Sequence, residues 1–269
     1  RLLEVLSRRN PSAAPLGQVL QREGSVFTDA RARAGALWDL AWLEDWRGRS
    51  TRPEASATYA SLLELDPTDA CALEALVRRE HGAARRGDAY ARRAVKTCLN
   101  ALCSLSTEDA PIVALLLRLG LLTEAESLET GEERLASRAL ERFRAALDID
   151  PTSVTAAMSL ARLSARLGDP GGALSAAVAL AELEESPQLR AAHLVAAAEL
   201  LLATHPREDE AAAGASALGP AEDRAERAGA HLEAAIAADP NSRAAISLLA
   251  NVRRAQEQAR ERELAAAAA

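Results

Sequence analysis

The sequence predicts an all-α fold, an α-solenoid of about 10–12 helices stacked as antiparallel pairs. Three observations carry that reading. The first is a pattern written three times: Ala55, Tyr59, Leu62, Pro67; then Ala139, Phe143, Ala146, Pro151; then Ala228, Leu232, Ala235, Pro240. The second is that each copy closes on Asp-Pro (Asp66-Pro67, Asp150-Pro151, Asp239-Pro240). Proline lacks a backbone donor and clashes with the preceding turn, so one helix stops there and another starts. The third is composition. Only 3% of the 269 residues are aromatic and only 14 are glycine, which argues against the strands and turns of a sandwich or barrel. Alanine-rich segments have high helix propensity and small side chains that let helices approach closely.

Taken in order, residues 29–47 form a helix whose leucines and alanines recur at helical spacing together with Trp38, Trp42 and Trp46. A second helix covers 53–65, with Pro53 at its first turn, where a missing N–H costs nothing. Asp66-Pro67-Thr68-Asp69 leads into a helix over 71–84, and Arg86-Gly87-Asp88 turns the chain into another over 89–105. Ser106-Thr107-Glu108 caps a longer apolar helix through Leu128, and Thr130-Gly131 turns it into the second copy of the pattern, 132–149. The pair 154–167 and 173–184 is joined by Gly168-Asp169-Pro170-Gly171, residues suited to a turn. An apolar helix follows over 188–203, then a polar Ala/Gly/Ser-rich stretch, 204–220, expected as an exposed loop. The third copy occupies 221–238, and Asn241-Ser242 starts a last helix to about Glu263 whose later half is charged, as a terminal cap requires. The division is therefore an N-terminal cap or linker over 1–27, in which 2–6 and 16–20 are the segments expected to pack as a cap, a repeat array over 28–241, and a capping helix with an Ala-rich tail over 242–269. Insertions near 106–128 and 204–220 interrupt the array and make the proline intervals unequal.

Composition excludes several functions. Thirty-nine acidic residues against 32 basic give a formal charge of -7, the reverse of what phosphate binding rewards, so nucleic acid is not an expected partner. Apolar runs such as 112–117 and 194–198 are far too short to span a bilayer. Cys71, Cys98 and Cys103 form no disulfide framework and are expected as reduced thiols, which favours a cytoplasmic setting. The chain begins at Arg1 and shows no leader pattern, so it is read as an excerpt or processed form.

The repeated residues resemble the tetratricopeptide repeat family, whose unit of about 34 residues is a pair of antiparallel helices. Ala55, Tyr59 and Leu62, and again Ala139, Phe143 and Ala146, match the family's second-helix positions, and Leu160, Ala161, Gly168 and Ala173 match in the pair from Val154. In the unit from Ala70, Leu73, Leu76, Val77 and Ala89 match, while Glu80 and Arg93 are charged where the family prefers apolar groups. The resemblance implies a right-handed superhelix without enzymatic activity or cofactor. Its concave face, lined by first helices, would bind a peptide or helix of a protein partner.

On that implication Arg78, His81, Thr155, Met158, Arg162 and Arg166 are the candidate partner-binding residues, with Cys71, Glu74, Ser159 and Ala165 beside them. The arginines could pair with carboxylates bidentately, or be solvated and paired within the chain. A carboxylate clamp built from Lys and Asn is not expected, because Glu74, Arg78, Met158 and Arg162 stand at those places. The tryptophan stripe is either core against Tyr59 and Leu62 or an aromatic anchor, with Trp38 expected to be less buried than Trp42. The basic stretch from Arg85 to Lys96 reads as a solvated helix face. His81, His193, His205 and His231 lie in no metal motif, His231-Leu232-Glu233 lacks the cysteine pair of a zinc deaminase, and no phosphate loop or nucleophile elbow is present. The expected function is a non-enzymatic interaction scaffold; the alternative is a regulatory or substrate-recruiting arm of a larger enzyme or assembly. The oligomeric state is left open.

Overall fold

A computed structural model describes residues 14–47, 53–203, 218 and 220–268. The described residues form twelve helices and no strand: α1 (Ala14–Val26), α2 (Ala30–Arg47), α3 (Pro53–Leu65), α4 (Ala70–Arg85), α5 (Ala89–Leu105), α6 (Asp109–Thr130), α7 (Glu133–Ile149), α8 (Val154–Leu167), α9 (Pro170–Leu183), α10 (Pro187–Ala203), α11 (Ala221–Ala238) and α12 (Arg243–Ala268). They fall into two compact units, divided after Leu122 inside the long helix α6.

The nine Ala, Tyr, Phe and Leu side chains of the repeated pattern are buried, and its three prolines are exposed. Tyr59 is the most exposed of the nine at 3%, and Ala139, Phe143, Ala146, Ala228, Leu232 and Ala235 are all at 0%. The Asp-Pro turns share one construction. In each the Asp N–H closes the outgoing helix, the residue three further donates back to the Asp carbonyl, and the Asp side chain accepts from the backbone two residues on. The next helix is then capped by the fourth turn residue: Asp69 accepts from Ala72 N at 3.1 Å, Ser153 from Ala156 N at 3.4 Å and Ser242 from Ala245 N at 3.4 Å. Aspartate thus satisfies turn amides that proline-terminated helices leave open, a local competition that stops one helix and starts another within four residues. A second kind of turn ends α4 and α8. Gly168, at φ 67°, takes the left-handed conformation that closes α8. Asp88 and Asp169 then cap α5 and α9.

In the first unit α1 to α5 each pack on the next, and Leu119 and Leu122 of α6 join the core formed by Tyr59, Leu62, Leu73, Leu76, Val95, Leu99 and Leu102. Leu20 of α1 sits against Leu40 and Leu43. Glu80 is half-buried yet satisfied, accepting from Ser56 Oγ. Arg93 is exposed. In the second unit α7 to α12 each pack on the next, around Leu174, Val195, Leu201, Leu232, Leu249 and Val252.

Some expectations change. Helix α9 starts at Pro170, not Ala173, because Asp169 caps it and the proline occupies the first turn. Trp38 is the better buried tryptophan: its ring meets Tyr59 edge-on at 5.8 Å and its Nε1–H donates to Asp69 Oδ2 at 3.1 Å, whereas Trp42 is 44% exposed. The Trp46 side chain, residues 2–6 and the expected loop over 204–220, apart from Leu218 and Pro220, lie outside the described residues. Leu218 itself is buried, and its carbonyl accepts from Arg227 Nη1 at 3.1 Å.

Candidate functional site

Helix α4 places its two faces by the helical period. Ala72, Leu73, Leu76 and Val77 enter the core, which leaves Glu74, Arg78, His81 and Arg85 as a stripe on the opposite side. On α6 the same spacing lines up Pro111, Ala114, Leu115 and Arg118. Between these stripes and the end of α5 (Leu102, Leu105, Ser106) lies a cleft of about 670 Å³. Its walls are apolar, and Glu74, Arg78, His81 and Arg118 are the charged or titratable side chains that line it.

Arg78 and Arg118 are exposed, and neither forms a hydrogen bond or ion pair among the described residues. The His81 Nδ1 atom is buried and without a partner. Burial, then the Arg118 and Arg85 guanidiniums, hold the His81 pKa below its ordinary 6.5, so the imidazole is neutral at neutral pH. A volume of this size, mostly apolar with a few convergent polar groups, is the usual form of a binding site for something small or for a few side chains.

Of the residues singled out from sequence, Arg78 and His81 line this cleft. Thr155, Met158, Arg162 and Arg166 lie in the second unit on the exposed side of α8, where Met158 is 60% exposed. Two of these are engaged within the chain. Arg162 Nη2 donates to the buried Glu124 carboxylate at 2.6 Å, and Arg166 Nη2 donates to Ser127 Oγ at 3.2 Å, tying α8 to the end of α6. Arg162→Ala strands that carboxylate and is expected to cost about 1–2 kcal/mol, the low side for a hydrogen bond to a charged group because the arginine is largely exposed. A urea midpoint unchanged from the parent chain would remove this tie from the account.

Sequence reasoning missed Arg118. It is the one charged residue between Asp109 and Glu124, and that isolation on an apolar helix was the available signal. Elsewhere, Cys98 is buried and its thiol is pushed up by burial, and Cys71 is exposed. Burial chiefly, with Asp45 accepting from the phenol at 2.5 Å, raises the Tyr59 pKa. Among the described residues no group of three or more His, Cys, Asp or Glu is placed to hold a metal, and no helix is long and apolar enough to cross a membrane.

Acid should weaken the fold through two imidazoles. His231, like His81, has its pKa lowered, by burial and by Arg227. The unfolded chain binds these protons near 6.5 and the folded chain only at lower pH, so stability falls as the pH drops below 6.5, and above it they contribute no pH dependence. Urea midpoints at about pH 7.5 and about pH 5.5 should differ less in the His81→Gln/His231→Gln double variant than in the parent chain. An unchanged difference would contradict the assignment.

No protein-family model matches the chain, and no curated protein matches it. Among solved structures it is similar to YrrB, described as a TPR protein with an unusual peptide-binding site, at 17% identity over 82% of this chain and 91% of that one, with a TM-score of 0.38. It is also similar to a chain from work on the computational design of self-assembling cyclic protein homooligomers, at 18% identity over 97% of this chain and 95% of that one, with a TM-score of 0.23.

Proposed function

We propose that this chain is a non-enzymatic scaffold of degenerate tetratricopeptide type that docks a protein or peptide partner, with the α4–α6 cleft of the first unit as its docking site. The supporting observation is a largely apolar cleft bearing two arginines that form no hydrogen bond or ion pair among the described residues. On this reading the repeat array runs over 28–241, between an N-terminal cap over 1–27 and a terminal helix and tail over 242–269. The face carrying Arg78 and His81 is the concave one, and Thr155, Met158, Arg162 and Arg166 offer a further contact patch on the same side of their own unit.

The test is a photo-crosslinking side chain placed at Leu105, which lines the cleft and is 39% exposed, compared with the same group at the exposed Glu257 of α12. In the native host, a discrete protein adduct should form from position 105 and not from 257. The adduct should be competed away by excess unlabelled chain. Adducts that form equally from both positions, or none from 105, would overturn the assignment of the cleft.

A further inference from the structure

We propose that the cleft receives a short acidic, leucine-rich segment of the partner, one carboxylate held by Arg78 and Arg118 and apolar side chains lying on Val77, Leu102, Leu105 and Leu115; this rests on the scaffold reading above. The charge pattern carries the argument. Arg79, Arg144, Arg162 and Arg253 already hold carboxylates of the chain (Asp45, Asp169, Glu124 and Glu233), whereas Arg78 and Arg118 hold none among the described residues. Guanidinium groups with free donors favour a planar carboxylate, which they can bind by paired hydrogen bonds.

The apolar part follows from the walls. Val77 and Leu102 are buried, Leu105 and Leu115 are partly exposed, and Pro111 and Ala114 complete the lining. Such a surface gains by covering with aliphatic side chains. Glu74, one turn before Arg78 on α4, repels a second carboxylate at that end, so the acidic group belongs between Arg78 and Arg118, on the side of His81. The buried, unpartnered Nδ1 of His81 offers one more hydrogen bond there. Nucleic acid fits poorly: no Phe, Tyr or Trp is among the described residues that line the cleft, Glu74 opposes phosphate, and the chain as a whole carries a charge of -7.

The experiment uses the whole chain and three fluorescent synthetic peptides, acetylated and amidated so that no terminal carboxylate is present. The peptides share paired leucines and differ in having Glu, Gln or Lys between them. Polarisation titrations should show the Glu peptide binding at least about tenfold more tightly than the Gln peptide. That preference should vanish in Arg78→Gln/Arg118→Gln, whose side chains are exposed and whose thermal melt should match the parent chain. Leu105→Ala should weaken the Glu and Gln peptides alike. Equal binding of the Glu and Gln peptides, an unchanged preference in the double variant, or no binding of the Glu peptide would each overturn this proposal. Should the Leu105 crosslink persist in Arg78→Gln/Arg118→Gln while the Glu preference is absent, the cleft stands as a docking site and the acidic-segment reading falls; absence of the crosslink from the parent chain itself would overturn the assignment of the cleft.

Discussion

Phe143→Ala is expected to destabilise the second unit by about 3–5 kcal/mol, the cost of emptying a fully enclosed aromatic site. The ring is at 0% exposure on the buried face of α7, flanked by Ala139, Leu140, Ala146 and Leu147. The small alanines bring neighbouring backbone close around it, and a close-packed site of this kind relaxes only partly into the void. Thermal unfolding followed by circular dichroism should fall by roughly 10 °C. Phe143→Leu, which keeps most of the volume, should recover much of the loss. A drop below about 1 kcal/mol for the alanine variant would mean that the second copy of the repeated pattern is not a core position.

Gly172→Ala comes next. A Cβ built there stands 2.4 Å from Asp169 Oδ2, 2.4 Å from Ser164 Oγ and 3.1 Å from Arg144 Nη2. None of these neighbours yields freely. Ser164 is wholly buried on α8, and Asp169 caps α9 through Gly172 N at 3.1 Å while pairing with Arg144 at 2.9 Å. Displacing the aspartate removes the cap and the ion pair together, and the crowding against Ser164 adds strain, so the cost is about 2–3 kcal/mol in spite of alanine's higher helix propensity. Gly172→Ala in a Ser164→Ala/Asp169→Ala background should cost far less, because the two atoms nearest the added Cβ are gone. Equal costs in the two backgrounds, read from urea midpoints, would contradict the steric account.

These two sites mark how far the sequence could be read. Phe143 was identifiable because its periodic alanine neighbours point one face inward, and burial of a helical face obeys a local rule. The Asp-Pro turns were identifiable for the same reason, since cap, proline and turn residue lie within four positions of each other. Gly172 fell just outside the helix expected over 173–184; Pro170-Gly171-Gly172 has turn composition, but Asp169 supplies the cap that makes it a first helical turn. The order of burial of Trp38 and Trp42 depended on Tyr59 and on Asp69, 31 residues from Trp38, contacts that no helical periodicity encodes. The same holds for the candidate site. Glu74, Arg78 and His81 could be placed on one stripe of α4, yet the wall opposite them, with Arg118, comes from a helix more than 30 residues on whose sequence is dominated by leucine. Nor could the partner of Arg162 be read, since Glu124 lies 38 residues earlier.

The central claim is that a partner segment occupies the α4–α6 cleft. Amide hydrogen exchange of the whole chain, with and without the Glu-containing leucine peptide at saturation, tests it most directly. The account predicts slowed exchange over residues 70–81 and 102–118 and unchanged exchange over 187–203. Slowing confined to the second unit, or none in either segment of the cleft, would contradict it.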